Sequence, residues 1–433
     1  MDDSTEGSGK GRGIALKKYV MHLISRSPDP DKNIRMSIGS FDRITNFTSA
    51  FIKENLASFY MWLPLVLTAW AYFSPINRKF LVVGGYFCIA IAFFTLSGCK
   101  SCRANNMILR IFAVYVLIIL GSIATLSSNT LLSLWFLFAY VGLPFLIGMR
   151  IFNDFGRHSA LINYSLLAAV IIFVFVENLS GGPHQRAYVF GSQSNSIQLS
   201  LVCAFVLSFM LFDFRQERVR HSIFPVIAFF CGLFLGGILP RWFILATLLI
   251  FFLAIYLIPA GRARGVPIFA FVLGWVAALL LLDGRAEFYV GNLVPRFAEI
   301  QEDPNIPLTS IEERLRFILT SIELFLSAPF FGVGVGNFGV ASSGAVNSFP
   351  HLSSLHVLTE MGVFALILYL VMIVYGGFLL VGAAQADSSH FPLLAIFLYG
   401  IVFSFLHGNY LTDKLVYVAL GYAASHGLPL RRA

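Results

Sequence analysis

Runs of about 17–20 apolar residues recur along this 433-residue chain between short polar breaks, and no other feature restricts its folding as strongly. Each run is long enough to cross a ~30 Å hydrocarbon core as an α-helix. A backbone in lipid must satisfy its own N–H and C=O groups, so spans of this length are expected to be helical. Hydrophobic residues make up 58% of the sequence and charged residues 12%, against ~25% charged in soluble domains. That balance excludes an ordinary soluble fold. Candidate spans fall at 57–74, 80–98, 109–126, 131–149, 159–177, 197–213, 223–239, 242–259, 266–283, 353–381, 391–407 and 415–428. The expected fold class is all-α, a polytopic integral membrane protein with about 12 transmembrane helices.

Orientation follows from the lysines and arginines, because short loops rich in them stay cytoplasmic. With the N-terminus inside, 21 of the 30 Lys and Arg residues fall on the cytoplasmic side, nine of them before residue 56. An even number of spans then places both termini in the cytoplasm. The net charge of +8 is thereby read as a topology signal, and no nucleic-acid partner is expected. Residues 1–56 read as a cytoplasmic N-terminal tail and 57–433 as the transmembrane domain. No apolar core of a cleavable signal precedes residue 57, so the first span is expected to be retained as an anchor. Within the tail, Ile14–Ile24 fits either a short amphipathic helix on membrane lipid or a disordered lead-in.

The five cysteines, Cys88, Cys99, Cys102, Cys203 and Cys231, fall in spans or at cytoplasmic ends and imply no disulfide framework. Cys99 and Cys102 have zinc-like spacing, but no second ligand pair accompanies them, so no metal site is expected.

Two loops hold most of the polar mass on the outer side. The first, 178–197, contains His184, Gln185, Arg186, Gly191 and Asn195; the second, 284–352, is large and expected to be partly helical. Arg241 follows Pro240 at a tight outer turn. It reads either as a guanidinium held for a bidentate phosphate contact or as a snorkelling helix end. Its position against the positive-inside bias favours the first. Residues 311–328 carry Leu315, Ile318, Ile322 and Phe325 at helical spacing and predict an amphipathic surface helix, lying on the outer face or packed on the bundle.

The run Gly332-Val333-Gly334-Val335-Gly336-Asn337-Phe338 leads through His351 into a long apolar helix. Its spacing is not a dinucleotide fingerprint, and it reads as a tight turn with exposed amides. His351 sits where a polar loop re-enters the membrane, suited either to proton exchange near neutral pH or to a capping role. His356, five residues on, points ~140° away on a helix and is not expected to share its site. Glu360, one turn beyond His356, reads as an ordinary structural contact with it. Glu299, Glu302, Asp303, Glu312 and Glu313 are alternative bases or a solvated surface.

These pieces together resemble a known family. Arg314-Leu315, then Pro329-Phe330-Phe331 and the glycine run to Phe338, then His351 with ten residues before Gly362, resemble the signature of the bacterial O-antigen ligase and polysaccharide polymerase superfamily. Arg186 with Gly191 and Asn195 is similar to the family's first outer arginine segment, and Arg241 with Leu245 to its second. The resemblance covers roughly residues 180–380. The chain has Leu352 where members commonly carry a small polar residue, and Pro240 where a small residue commonly precedes the arginine.

The resemblance implies an inverting glycosyltransferase without metal or other cofactor, in the bacterial inner membrane with its active face periplasmic. Loop 284–352 would then be the periplasmic loop. The donor would be an undecaprenyl-pyrophosphate-linked glycan, and the acceptor lipid A-core or a second lipid-linked glycan. Arg186 and Arg241 would bind the pyrophosphate, Arg314 would assist or order the loop, and His351 would take the proton of the attacking hydroxyl. A single dominant outer loop ending in the histidine favours a ligase over a polymerase. The shorter loop also lacks the Arg-x₁₀-Gly pattern of some polymerases, since the residue eleven after Arg186 is Ile197. A transporter or lipid flippase is the reading from another class. It would place ionisable groups near the midplane and show matched halves, whereas here the charges gather at helix ends and outer loops.

Overall fold

In a computed structural model of the chain, the described residues are 56–70, 78–96, 106–127, 130–150, 157–179, 195–215, scattered helical positions between 229 and 277, 310–343, 349–406, 409–411 and 413–425. All lie in the part of the chain that follows Lys53. No strand occurs among them. The helices are α1 (Leu56–Trp70), α2 (Arg78–Leu96), α3 (Asn106–Leu126) and α4 (Thr130–Phe136). A π-helical turn, Leu137–Gly142, carries α4 into α5 (Leu143–Arg150). Then come α6 (Arg157–Leu179), α7 (Asn195–Arg215), α8 (Ser310–Ser327), α9 (Phe338–Ser343), α10 (Ser353–Ala386), α11 (Phe391–Leu406) and α12 (Lys414–Ser425). Three stretches, Met107–Leu126, Thr130–Met149 and Ser353–Ala386, are long and apolar enough to cross a membrane. The spans expected at 223–239, 242–259 and 266–283 lie largely outside the described residues, as do the N-terminal tail, Cys99 and Cys102.

Several buried polar groups pair across the bundle, as a water-poor interior favours. Within the π turn, Ala139 O accepts the Tyr60 hydroxyl at 2.9 Å. Trp62 donates to Asn163 at 2.8 Å, and Asn163 donates in turn to Ser58 at 3.0 Å, joining α1 to α6. Outward-facing positions on α10 are apolar instead: Phe364, Ile367, Val371, Val374 and Phe378 are all exposed, the arrangement expected of a helix with lipid on one side.

α8 begins within two residues of the amphipathic helix predicted at 311–328, but its faces are divided differently. Among its described side chains, Phe317 and Ser321 are buried, while Leu315, Leu319, Ile322 and Leu326 are exposed. The helix is apolar on more than one side, so spacing alone does not select the inner face. The selection is made by α10, whose Thr359 hydroxyl reaches the Ser321 carbonyl at 3.4 Å.

α5 and α12 pack closest. A Cβ on Gly148 would overlap the Val418 carbonyl, and one on Gly421 would overlap the Phe145 carbonyl. Small residues let backbones approach this closely where no hydrophobic effect drives helices together. Substituting Val at Gly148 or Gly421 is expected to cost about 1–3 kcal/mol from overpacking and to lower the thermal midpoint of purified protein in detergent. Gly121→Ala, where an added Cβ meets nothing within 4 Å, should leave that midpoint unchanged or raise it.

Candidate functional site

The site is built on a break in α10. Gly362 has φ 78° and ψ −176°, so the 34-residue helix is interrupted after its first nine residues. An interruption frees backbone groups, and in an apolar setting these need partners. The glycine-rich turn supplies them. Val333 N–H donates to Thr359 O and Gly334 N–H to Glu360 O, both at 2.9 Å, while Val363 N–H donates to Pro329 O at 3.0 Å. The turn lies backbone to backbone with the break: a Cβ on Gly332 would overlap the Glu360 carbonyl, and one on Gly362 the Phe330 carbonyl. Gly332, Gly334 and Gly336 all have φ between 69° and 99°, the left-handed region that side chains disfavour. The alternation of glycines and valines in the sequence follows from this: the glycines take the left-handed positions, and Val335 is fully buried.

The same turn grips α3. Asn337 donates from its side chain to Leu126 O and, at 2.9 Å, to Val333 O, and Val335 N–H donates to Ser122 Oγ at 3.2 Å. Its last residues close on Glu360, whose Oε1 accepts Gly336 N–H at 3.0 Å and Phe338 N–H at 3.1 Å. The other carboxylate oxygen accepts the Tyr410 hydroxyl at 2.9 Å. His356 completes the set, its Nε2 lying 3.2 Å from Oε1. The contact expected between His356 and Glu360 is present, and the two turn amides and Tyr410 join it.

His351 stands just before α10 with φ 58°, a left-handed conformation unusual for a residue with a side chain. Its ring is walled by Phe349, centroid to centroid 4.7 Å, and Phe317 at 6.3 Å. A separation of ~140° between His351 and His356 requires both to lie on one helix. His351 precedes the helix, and both rings face Phe349, that of His356 at 6.3 Å. Arg314 is half-buried on α8, one turn before Phe317. Arg316 sits 5.5 Å above the Phe317 ring. Arg186 and Arg241 lie outside the described residues.

A second carboxylate occupies the α11–α12 connection. Asp413 accepts the Ser404 hydroxyl at 2.6 Å and the Tyr369 hydroxyl at 3.1 Å, and the next residue, Lys414, reaches Gln198 in the first turn of α7 at 3.3 Å. Nothing in the spacing around Tyr410 or Asp413 singles them out; Glu360 is marked in the sequence only by its place one turn beyond His356 and two residues before Gly362.

No protein-family model matches the chain, and the search of curated proteins found no match.

Burial pushes the Asp413 carboxyl up to about 7, against hydrogen bonds from Ser404 and Tyr369 that favour the ionised form. An unfolded Asp titrates near 3.8, so the folded chain holds the extra proton between those values. The stability from this group is fully present below the unfolded value and is lost as pH rises through about 7. Wild type is therefore expected to melt at lower temperature at pH 8 than at pH 5, and Asp413→Asn to flatten the profile over that interval.

Proposed function

We propose that the chain is a membrane glycosyltransferase of the O-antigen ligase kind, acting on the periplasmic face of a bacterial inner membrane. In this reading it moves a glycan from undecaprenyl pyrophosphate to a sugar hydroxyl of lipid A-core, with inversion at the anomeric carbon. One observation carries the reading: α8, the glycine-rich turn and the first part of α10, which resemble the family signature only as separate pieces of sequence, are joined by hydrogen bonds, with the His351 ring beside them against Phe349 and Phe317. The ends of α3, α7, α10, α11 and α12 that meet there also support it, because the Lys and Arg distribution assigns all of them to the outer side.

The roles follow from chemistry. The acceptor oxygen attacks the anomeric carbon as the bond to the pyrophosphate oxygen breaks, and His351 takes the acceptor proton. The departing pyrophosphate carries the developing negative charge, which Arg186 and Arg241 neutralise by charge-assisted contacts. Arg314 orders the loop from α8. A half-buried histidine walled by Phe349 and Phe317 suits a base shielded from bulk water.

With purified protein in lipid, undecaprenyl-pyrophosphate glycan as donor and lipid A-core as acceptor, wild type is expected to transfer. His351→Ala should lower turnover by roughly 10²–10⁴-fold, and Arg241→Ala by at least as much, both variants remaining folded by thermal unfolding. Elongation of donor without lipid A-core would make the enzyme a polymerase. Gradient-driven movement of lipid without transfer would make it a transporter, and full activity in both variants would remove the assigned site.

A further inference from the structure

We propose that Glu360 is the positioning residue of this site, a buried carboxylate that holds both walls of the His351 ring without touching it. The inference rests on the assignment of His351 as the base and extends it to a residue whose spacing in the sequence indicates only a structural contact with His356.

Glu360 is 1% exposed. A carboxylate in such a place is costly unless its oxygens are satisfied. Its donors come from three different segments: Gly336 and Phe338 from the turn, His356 from its own helix, and Tyr410 from the α11–α12 connection. Among the described residues, His356 is its ion-pair partner.

Two routes lead from this carboxylate to His351. Along the first, Glu360 fixes the His356 ring, whose neighbours include Tyr410 at 4.9 Å and Phe349 at 6.3 Å, and Phe349 forms the nearer wall of the His351 ring. Along the second, Glu360 accepts the backbone N–H of Phe338, the Phe338 ring packs on Phe317 at 5.9 Å, and Phe317 forms the farther wall. His351 itself sits in a left-handed conformation, which persists only where the surroundings hold it. A carboxylate common to both walls is the support that such a conformation needs. Glutamine at 360 would still offer an acceptor to the turn amides, but it would lose the negative charge facing His356 and place an N–H₂ donor among donors.

The experiment is a cycle of Glu360→Gln, His351→Ala and the double variant in the transfer assay, with Tyr410→Phe as a milder perturbation of the same carboxylate. Misplacement of a reacting group by about 1 Å costs on the order of 10²-fold. Glu360→Gln is therefore expected to lower kcat by roughly 10–10²-fold with KM for the donor unchanged, and Tyr410→Phe to lower kcat by a smaller factor in the same pattern. Because Glu360 acts through His351, the double variant should be no slower than His351→Ala alone. The acid limb of the kcat/KM profile should survive in Glu360→Gln, since the base is still present.

Full activity in His351→Ala would remove the base and belong to the proposed function. An inactive His351→Ala beside an unimpaired Glu360→Gln would overturn the present inference alone. So would multiplicative losses in the double variant, or disappearance of the acid limb in Glu360→Gln, which would make Glu360 the base. If Glu360→Gln does not fold, an unchanged kcat in Tyr410→Phe overturns the inference, and a lowered kcat with unchanged KM supports it.

Discussion

The backbone pairing between the glycine-rich turn and the broken helix α10 is the constraint on which the rest of the site depends. A helix that breaks in an apolar bundle exposes carbonyls and amides whose desolvation is costly unless they find partners. Here the break at Gly362 and the turn at Pro329–Asn337 satisfy each other: each offers the donors the other lacks, at 2.9–3.0 Å. Neither would be stable alone. The close approach requires glycine on both sides, Gly332 against the Glu360 carbonyl and Gly362 against that of Phe330.

That pairing sets Glu360 at the centre of the site. Its main-chain carbonyl receives Gly334 while its side chain receives Gly336, Phe338, His356 and Tyr410. Charge-assisted hydrogen bonds of this kind strengthen in a low-dielectric interior, so the residue joins the turn, α10 and the α11–α12 connection in one unit. His351 lies at the edge of this unit, between aromatic walls, at the end of the bundle where the α3 terminus, the start of α7 and the start of α12 also converge.

Much of the helical layout is legible in the sequence because the length of an apolar run and its polar boundaries are local properties. α3, α7 and α11 begin and end within three residues of the runs at 109–126, 197–213 and 391–407. α8 is equally legible from its spacing, yet its inner face is not, since Leu315 and Phe317 are both apolar and the packing of α10 and of the Phe338 ring distinguishes them. The candidate base and the glycine turn are visible as residues, whereas the neighbourhood of His351 is not. The separation from His356 inferred from helical geometry fails because the chain leaves helical φ and ψ at His351 itself.

The sequence by itself determined that the chain is helical, where most helices start, and that its polar chemistry concentrates in a few segments, because periodicity, run length and charge act over a few turns. Tertiary structure decided that Gly362 breaks α10, that Glu360 gathers donors from segments up to 50 residues away in sequence, and which ring faces which. Those outcomes depend on backbone groups finding partners across the fold, and no local pattern of side chains encodes where an unsatisfied carbonyl will find its amide.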